Sequence, residues 1–268
     1  IFNMKKYLVI GDPINHSLSP KLHNYWIKKN NINSVYEKKK INEKNLENII
    51  NQIKKKKIQG INVTVPFKNV IIPYLDSLSP EANATQSVNT IYLNADEVIG
   101  HNTDIAGFEL SLKKIKYDVT NKKVLILGAG GVAPSIIFAL YKMKASIITV
   151  CNRTRKKAEN LKKLFKDLII TDWGNISDFD LIINATSVGL DKDDKINLDF
   201  SKIGKNKLFY DVIYNPEETD FLRRGKRLGN ITENGKMMFI YQAHQAFTLW
   251  HKLMPEINDE LKKVLSND

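Results

Sequence analysis

The turn Gly128-Ala129-Gly130-Gly131-Val132-Ala133 is where residue type and spacing first point to chemistry. It fits G-x-G-x-x-G/A. In that pattern the first glycine permits a tight turn and the second lets backbone approach a pyrophosphate. The small third residue, here Ala133, lets a helix pack close to a strand, with the phosphates at the helix N-terminus. Residues 124–127 form an unbroken apolar run, as a parallel strand buried on both faces does, and apolar residues at helical spacing follow to Leu140. A second strand is predicted over 146–150. Alone, the glycine pattern also describes an ordinary strand-to-helix turn; within strand, turn, helix and strand it predicts a dinucleotide site.

The end of that second strand bears on which dinucleotide. An NAD site wants a carboxylate there, roughly twenty residues past the turn, to bind the ribose 2′-OH. The chain instead reads Asn152-Arg153-Thr154-Arg155. Two guanidiniums and two small polar side chains suit a 2′-phosphate, because Arg offers paired planar donors. A solvated basic turn is the plain alternative, and NADP is the expectation.

A second group of polar residues lies in the first half. A short strand over 7–10 runs into Gly11-Asp12-Pro13, and then Ile14-Asn15-His16-Ser17-Leu18-Ser19-Pro20 leads into a helix. Ser19 reads as its N-cap and Pro20 as its first residue, where the missing N–H costs nothing. That leaves the Ser17 hydroxyl free at a strand's carboxyl end, where ligands of α/β folds sit. Residues 60–66 alternate apolar and polar up to Pro66, and Lys68 follows beside Asn62 and Thr64. Such a lysine is either surface charge or a group held over a substrate. Further on, polar residues cluster at strand ends as Asn89-Thr90 and His101-Asn102-Thr103-Asp104, where Thr103 or Asp104 can also cap the next helix.

The remaining elements read as scaffold for these groups. Strands are predicted over 35–38, 87–93 and 98–100, the last two as a hairpin around Ala95-Asp96, and in the second half over 181–185 and 208–214. Asn42 and Ser79 are expected to cap helices, the first carrying the stripe Leu46, Ile49, Ile50 and Ile53. Thr219 is expected to cap a helix on which Arg223, Arg224 and Arg227 form a solvated face. Helices over 236–252 and 256–265 close the chain.

Composition narrows the function classes. At 268 residues and 43% hydrophobic the chain has room for two ordinary domains with cores of their own. Lys and Arg outnumber Asp and Glu by 41 to 29, but only five are Arg, and the lysine runs 38–40 and 54–57 carry no interleaved aromatic residues. Solvated helix ends, not nucleic-acid binding, are expected, with the charge helping to gather anionic substrates. The single cysteine, Cys151, excludes an internal disulfide and reads as a core thiol rather than a nucleophile. The five histidines show no metal-ligand spacing, so no metal is expected. No apolar run reaches the length of a membrane span, and the first residues lack signal-peptide anatomy. A cytoplasmic protein is expected, with Met4 as its natural start.

The residues together resemble the shikimate dehydrogenase family. The matching blocks are Gly11-Asp-Pro-Ile-Asn-His-Ser17-Leu-Ser19-Pro-Lys-Leu-His-Asn24, Asn62-Val-Thr64-Val-Pro-Phe-Lys68, Val88-Asn89-Thr90, Gly100-His-Asn-Thr-Asp104-Ile-Ala-Gly107, the turn Gly128 to Ala133, Asn152-Arg-Thr154, Asn184-Ala-Thr-Ser187, Asp211-Val-Ile-Tyr214-Asn-Pro216 and Gln242-Ala243. They fall in order over essentially the whole chain.

The resemblance implies interconversion of 3-dehydroshikimate and shikimate with NADP(H). It makes Lys68 the acid/base and Asp104 its partner, has Ser17, Ser19 and Tyr214 hold the substrate carboxylate, and has Thr64, Asn89 and Gln242 hold ring hydroxyls. The cofactor set is Gly128, Ala129, Gly130, Gly131, Val132, Ala133, Asn152, Arg153, Thr154, Arg155, Thr186, Ser187, Val212 and Gly235. The implied fold is α/β in two domains. Residues 4–103 plus 236–268 form a substrate domain, residues 104–235 a Rossmann-type NADP-binding domain, and a cleft separates them. The partner is a small-molecule substrate, with neither nucleic acid nor membrane, and the protein is a monomer or homodimer. Three features depart from the family pattern: Thr85-Gln86-Ser87 before Val88-Asn89-Thr90, His244 after Gln242-Ala243, and Pro134 just after the glycine turn. An NAD-dependent quinate/shikimate dehydrogenase and a non-catalytic NADP-binding regulator are the competing readings.

Overall fold

The structure, a computed structural model, describes residues 3–266. Ile1 and Phe2, which precede the expected start at Met4, and the last two residues of the expected 236–268 segment lie outside the described residues. The chain forms two compact units. One runs to Thr103 and resumes at Gln242; the other is Asp104–Tyr241. The return falls inside one helix.

The first unit contains β1 (Lys5–Gly11), α1 (Ser19–Lys29), β2 (Ser34–Lys40), a 3₁₀ turn (Glu43–Asn45), α2 (Leu46–Lys54), β3 (Gly60–Val63), a second 3₁₀ turn (Ile72–Tyr74), β4 (Ser77–Leu78), α3 (Pro80–Thr85), β5 (Thr90–Asn94) and β6 (Glu97–His101). Its sheet has the order β2-β1-β3-β5-β6-β4. β1 pairs parallel with β2 and β3, while β5 runs antiparallel to both β3 and β6. The carboxyl ends of β1, β3 and β6 and the amino end of β5 therefore share one sheet edge, and every expected substrate residue of the first half follows or precedes one of those ends.

Strand alternation divides the core of this unit. Leu8, Ile10 and Ile61 pack with Leu46, Ile49, Ile50 and Ile53 of α2, each such side chain contributing about 1.5–3 kcal/mol on burial. Tyr7 points the other way into an aromatic layer with Trp250 and His251. Residues 60–63 are buried throughout, so the alternation read in the sequence does not mark a solvent face. Asn62 lies inside because its polar atoms are satisfied there: it accepts from Tyr36 Oη at 2.7 Å and donates to Thr90 Oγ1 at 3.0 Å.

The second unit is α4 (Asp104–Lys114), β7 (Lys123–Leu127), α5 (Ala133–Lys142), β8 (Ile147–Cys151), α6 (Arg155–Lys162), β9 (Ile169–Thr171), β10 (Leu181–Asn184), β11 (Leu208–Asp211), α7 (Asp220–Arg227), β12 (Ile231–Glu233) and the start of α8 (Lys236–His251); α9 (Asp259–Ser266) closes the chain in the first unit. Its six strands are parallel in the order β12-β11-β10-β7-β8-β9. Numbered from β7 this is 3-2-1-4-5-6, the doubly wound order of a Rossmann sheet, which reverses between β7 and β10. Val124 and Ile126 face one core and Leu125 and Leu127 the other, which is why the strand reads as an unbroken apolar run.

Several local expectations change. The first residue of α1 is Ser19 itself, and no side chain caps the helix in the expected way. Instead Ser17 Oγ accepts from the Ser19 backbone N–H at 3.3 Å, so the hydroxyl read as free in the sequence is engaged. β5 begins at Thr90, not at residue 87, because the preceding residues turn to bond Lys68 and His101. Arg224 leaves the solvated face of α7. It donates to the carbonyls of Ile196, at 2.7 Å, and Leu198, with its guanidinium 4.7 Å from the centre of the Phe200 ring. Strands β4, β9 and β12 are too short to leave a period in the sequence. Ser79 and Thr219 do cap α3 and α7, accepting from Ala82 N at 3.2 Å and Leu222 N at 3.3 Å.

Candidate active site

In the first unit the site is built around Asn89. Its backbone is fixed between strands, donating to the His101 carbonyl and accepting from Val63 N–H at 2.8 Å. Its side-chain oxygen accepts from Thr103 N–H at 2.7 Å and Thr90 Oγ1 at 3.1 Å, and its amide donates to Thr103 Oγ1 at 2.8 Å. The same amide lies 3.5 Å from Gln242 Oε1 on α8, 153 positions away in sequence. Asn89 and Thr103 are buried, so the amide cannot swing without leaving partners unsatisfied.

Lys68 and Thr64 reach this edge from β3. Beyond Val63 the chain turns through Thr64-Val65-Pro66-Phe67, closed by Phe67 N–H donating to the Thr64 carbonyl at 3.0 Å, and Thr64 N–H continues the parallel pairing to Ile10. The Lys68 carbonyl accepts from Val88 N–H at 2.8 Å, which ties the lysine's backbone to the residue preceding Asn89. Ser17 and Ser19 lie past the end of β1, Ser19 buried and Ser17 partly so. Asp104, buried at the first position of α4, is covalently next to the Thr103 that grips Asn89.

The departures at this edge are accounted for. Thr85 and Ser87 are buried, and Asn102 joins them by donating to Thr85 Oγ1 at 3.2 Å and to the Ser87 carbonyl at 3.1 Å. His244 points to the far side of α8, where its Nε2 pairs with the Pro255 carbonyl at 2.8 Å and its ring meets Trp26 edge-on. Burial lowers its pKa, and its role is packing.

In the second unit the glycine turn sits at the carboxyl end of β7, beside the strand-order reversal. Gly128 has φ +108°, and a Cβ there would lie 2.9 Å from Thr186 Cγ2, so both conformation and the neighbouring loop require glycine. At Gly130 a Cβ would meet nothing within 4 Å. Packing within the fold does not demand glycine at that position. Pro134 lies in the first turn of α5, where it is tolerated. Across the switch, Thr186 and Val212 follow β10 and β11. A Cβ on Gly235 would lie 2.0 Å from the Val212 carbonyl oxygen, so these two expected cofactor residues touch through backbone. Tyr214 stacks on Phe239 with ring centroids 4.4 Å apart. This contact of Phe239 is not legible in the sequence, since nothing in its spacing distinguishes it from a core residue of α8.

At the end of β8, Asn152 braces the basic turn by donating to the Thr154 carbonyl at 2.9 Å. Arg155 is turned to carboxylates, with Nε 3.0 Å from Glu159 and a second nitrogen bonded to Asp172. No carboxylate pairs with Arg153 among the described residues. The donor set fits a phosphorylated ribose, with Arg153 the guanidinium available to it. Cys151 is fully buried, and burial pushes its thiol up to about 12, which makes it inert. No helix is long and apolar enough to cross a membrane, and no three His, Cys, Asp or Glu side chains are placed to hold a metal ion, among the described residues.

Known proteins match along the whole chain. Residues 9–91 match the family model described as the shikimate dehydrogenase substrate binding domain, and residues 109–198 the model described as shikimate / quinate 5-dehydrogenase. The chain is 58% identical over 261 residues to the shikimate dehydrogenase (NADP(+)) of Pelagibacter ubique, covering 97% of this chain and 98% of that one. It is 37% identical to the enzyme of the same name from Staphylococcus haemolyticus, covering 97% and 98%. A crystal structure of the Thermus thermophilus shikimate 5-dehydrogenase in complex with NADP(H) and shikimate superposes with a TM-score of 0.89 at 30% identity, covering 98% of this chain and 99% of that one. With two family models in chain order and relatives aligned end to end, the chain belongs to the shikimate dehydrogenase family.

Proposed function

We propose that this protein catalyses the reversible reduction of 3-dehydroshikimate to shikimate with NADPH, and that the residues above carry the roles the family pattern implies. The observation that carries the reading is the meeting of Asn89 with Gln242 at 3.5 Å, at the sheet edge past which Ser17, Thr64 and Lys68 follow β1 and β3. Neutral amides and hydroxyls fixed by buried partners read vicinal hydroxyls directionally. A substrate lacking one of them would leave a buried group unpaired.

NADPH held by these residues would supply the hydride that reduces the substrate carbonyl. Lys68 donates the proton that the developing alkoxide must gain, and Asp104 accepts a hydrogen bond from the resulting hydroxyl and orients the lysine. Such acid–base help is worth about a hundred- to ten-thousand-fold in rate. Thr64, Asn89 and Gln242 hold ring hydroxyls; Ser17, Ser19 and Tyr214 hold the carboxylate. The backbone of Gly128 to Ala133 cradles the pyrophosphate, Asn152 to Arg155 the 2′-phosphate, and Thr186, Ser187, Val212 and Gly235 the nicotinamide side. A cytoplasmic location, a monomeric or homodimeric state and the absence of a nucleic-acid partner belong to the same proposal.

The test is an assay of purified protein with 3-dehydroshikimate and 3-dehydroquinate, each with NADPH and NADH. Dominant turnover of dehydroshikimate with NADPH is expected. Dominant turnover of dehydroquinate with NADH would overturn both substrate and cofactor, and NADPH binding without turnover of either would make the protein a regulator.

A further inference from the structure

Asp211 ends β11 fully buried, and its neighbour in register, Asn184, ends β10 fully buried. One Asp211 oxygen accepts from Ile213 N–H at 3.0 Å and from Asn184 Nδ2 at 3.2 Å, and the other accepts from Thr219 Oγ1 at 2.6 Å. Asn184 extends the arrangement into the preceding loop. Its oxygen accepts from Thr186 N–H at 3.1 Å and Thr186 Oγ1 at 2.6 Å, its amide donates to the Val188 carbonyl at 3.1 Å, and Thr186 Oγ1 in turn accepts from Val188 N–H at 3.1 Å. Two loops thus hang on one carboxylate.

No Lys, Arg or His forms an ion pair with Asp211 among the described residues. A buried charge without a counterion weakens a fold even when hydrogen-bonded. Burial, the largest influence, raises its pKa to about 6 despite the three bonds. A carboxyl raised in this way contributes stability below its ordinary value of 3.8, and that contribution is lost as pH rises through 6. Burial disfavours its charged form, while three hydrogen bonds tie the carboxyl to Asn184, Ile213 and Thr219.

The geometry points to Asp211 as a positioning residue of the cofactor site: through Asn184 and Thr219 it fixes the loop carrying Thr186 and Ser187 and the turn carrying Val212 in the one arrangement that receives the nicotinamide end of NADPH. The inference rests on the proposed cofactor reading and adds a residue that touches no cofactor itself. Orphaning its three donors frees both loops and weakens NADPH binding by about tenfold. Asp211→Asn keeps an oxygen for Asn184 and Ile213 and an amide that Thr219 can accept.

NADPH fluorescence titration and steady-state kinetics on wild type, D211A and D211N test this, with melting temperatures at pH 8. For D211A the expected result is about a tenfold rise in Kd and KM for NADPH, with kcat at saturating NADPH within about threefold of wild type, and recovery of most of the affinity in D211N. Thr219→Val, which removes one donor to Asp211, and Thr219→Ser, which keeps it, decide the matter should D211A not fold: weaker NADPH binding in the valine variant alone supports the role. Folded D211A, or T219V in its place, that binds NADPH as tightly as wild type overturns the inference and leaves the cofactor reading standing. Wild-type protein that fails to bind NADPH overturns both.

Discussion

The imidazole of His23 lies flat on the ring of Tyr36, centroids 4.2 Å apart and planes 2° from parallel, while the Tyr36 hydroxyl donates to Asn62 Oδ1 at 2.7 Å. An aromatic layer of the core is thereby joined to the polar layer that holds Asn89, since Asn62 donates to the Asn89 carbonyl at 3.1 Å. Two predictions concern this joint and two the proposed chemistry.

Tyr36→Phe keeps the ring on His23 and deletes the donor that Asn62 Oδ1 accepts from among the described residues. The loss leaves a buried acceptor unsatisfied and should cost about 1–3 kcal/mol, read as a lower urea midpoint with unchanged slope. An unchanged midpoint would show that the bond adds nothing to stability.

Burial, reinforced by His251, pushes His23 down to about 3, and burial with Lys5 nearby pushes His251 down to about 4. Both stay neutral in the fold but take up protons when unfolded below their ordinary value of 6.5. Stability present above pH 6.5 is therefore lost as pH falls, for each histidine by about 1.4 kcal/mol per unit well below that value. Asp211 works in the opposite sense and is common to both proteins compared. His23→Phe should show a shallower fall in melting temperature between pH 6.5 and 4.5 than wild type; parallel curves would contradict it.

Lys68→Ala should lower kcat by about a hundred- to ten-thousand-fold while leaving NADPH affinity within about twofold. Fluorescence titration separates the two quantities. A near-normal kcat would remove Lys68 from the proton transfer.

Arg155 is held by Glu159 and Asp172, and Arg153 has no such partner among the described residues. Arg153→Ala should reduce the preference for NADPH over NADH by about tenfold or more, the worth of a charge-assisted hydrogen bond, and Arg155→Ala by less. Ratios of kcat/KM for the two cofactors test the order, and a larger loss at Arg155 would reverse it.

Much of the fold was legible because local rules and tertiary context agree. The run at 124–127, the glycine turn and Pro134 all state the same strand, turn and helix, and the parallel sheet bears them out in position. Ser79 and Thr219 cap as their types predict, because an N-cap needs only the next three residues. The failures are places where another partner outbids the expected local arrangement. Ser19 has the type and the following proline of an N-cap, yet Ser17 takes its N–H; Arg224 has the spacing of a solvated face, yet two carbonyls and the Phe200 ring hold it.

By itself the sequence determined the chemistry on offer: a phosphate-binding turn, a basic strand end without its own carboxylate, and a lysine following a polar strand, each set by residues a few positions apart. Only the tertiary structure decided which groups meet and which are already engaged. Asn89 faces Gln242 across 153 positions, Glu159 and Asp172 occupy Arg155, and one buried carboxylate at Asp211 gathers two loops. Hydrogen bonds and ion pairs act over about 3 Å in space, and only the packed sheets bring distant stretches of chain that close.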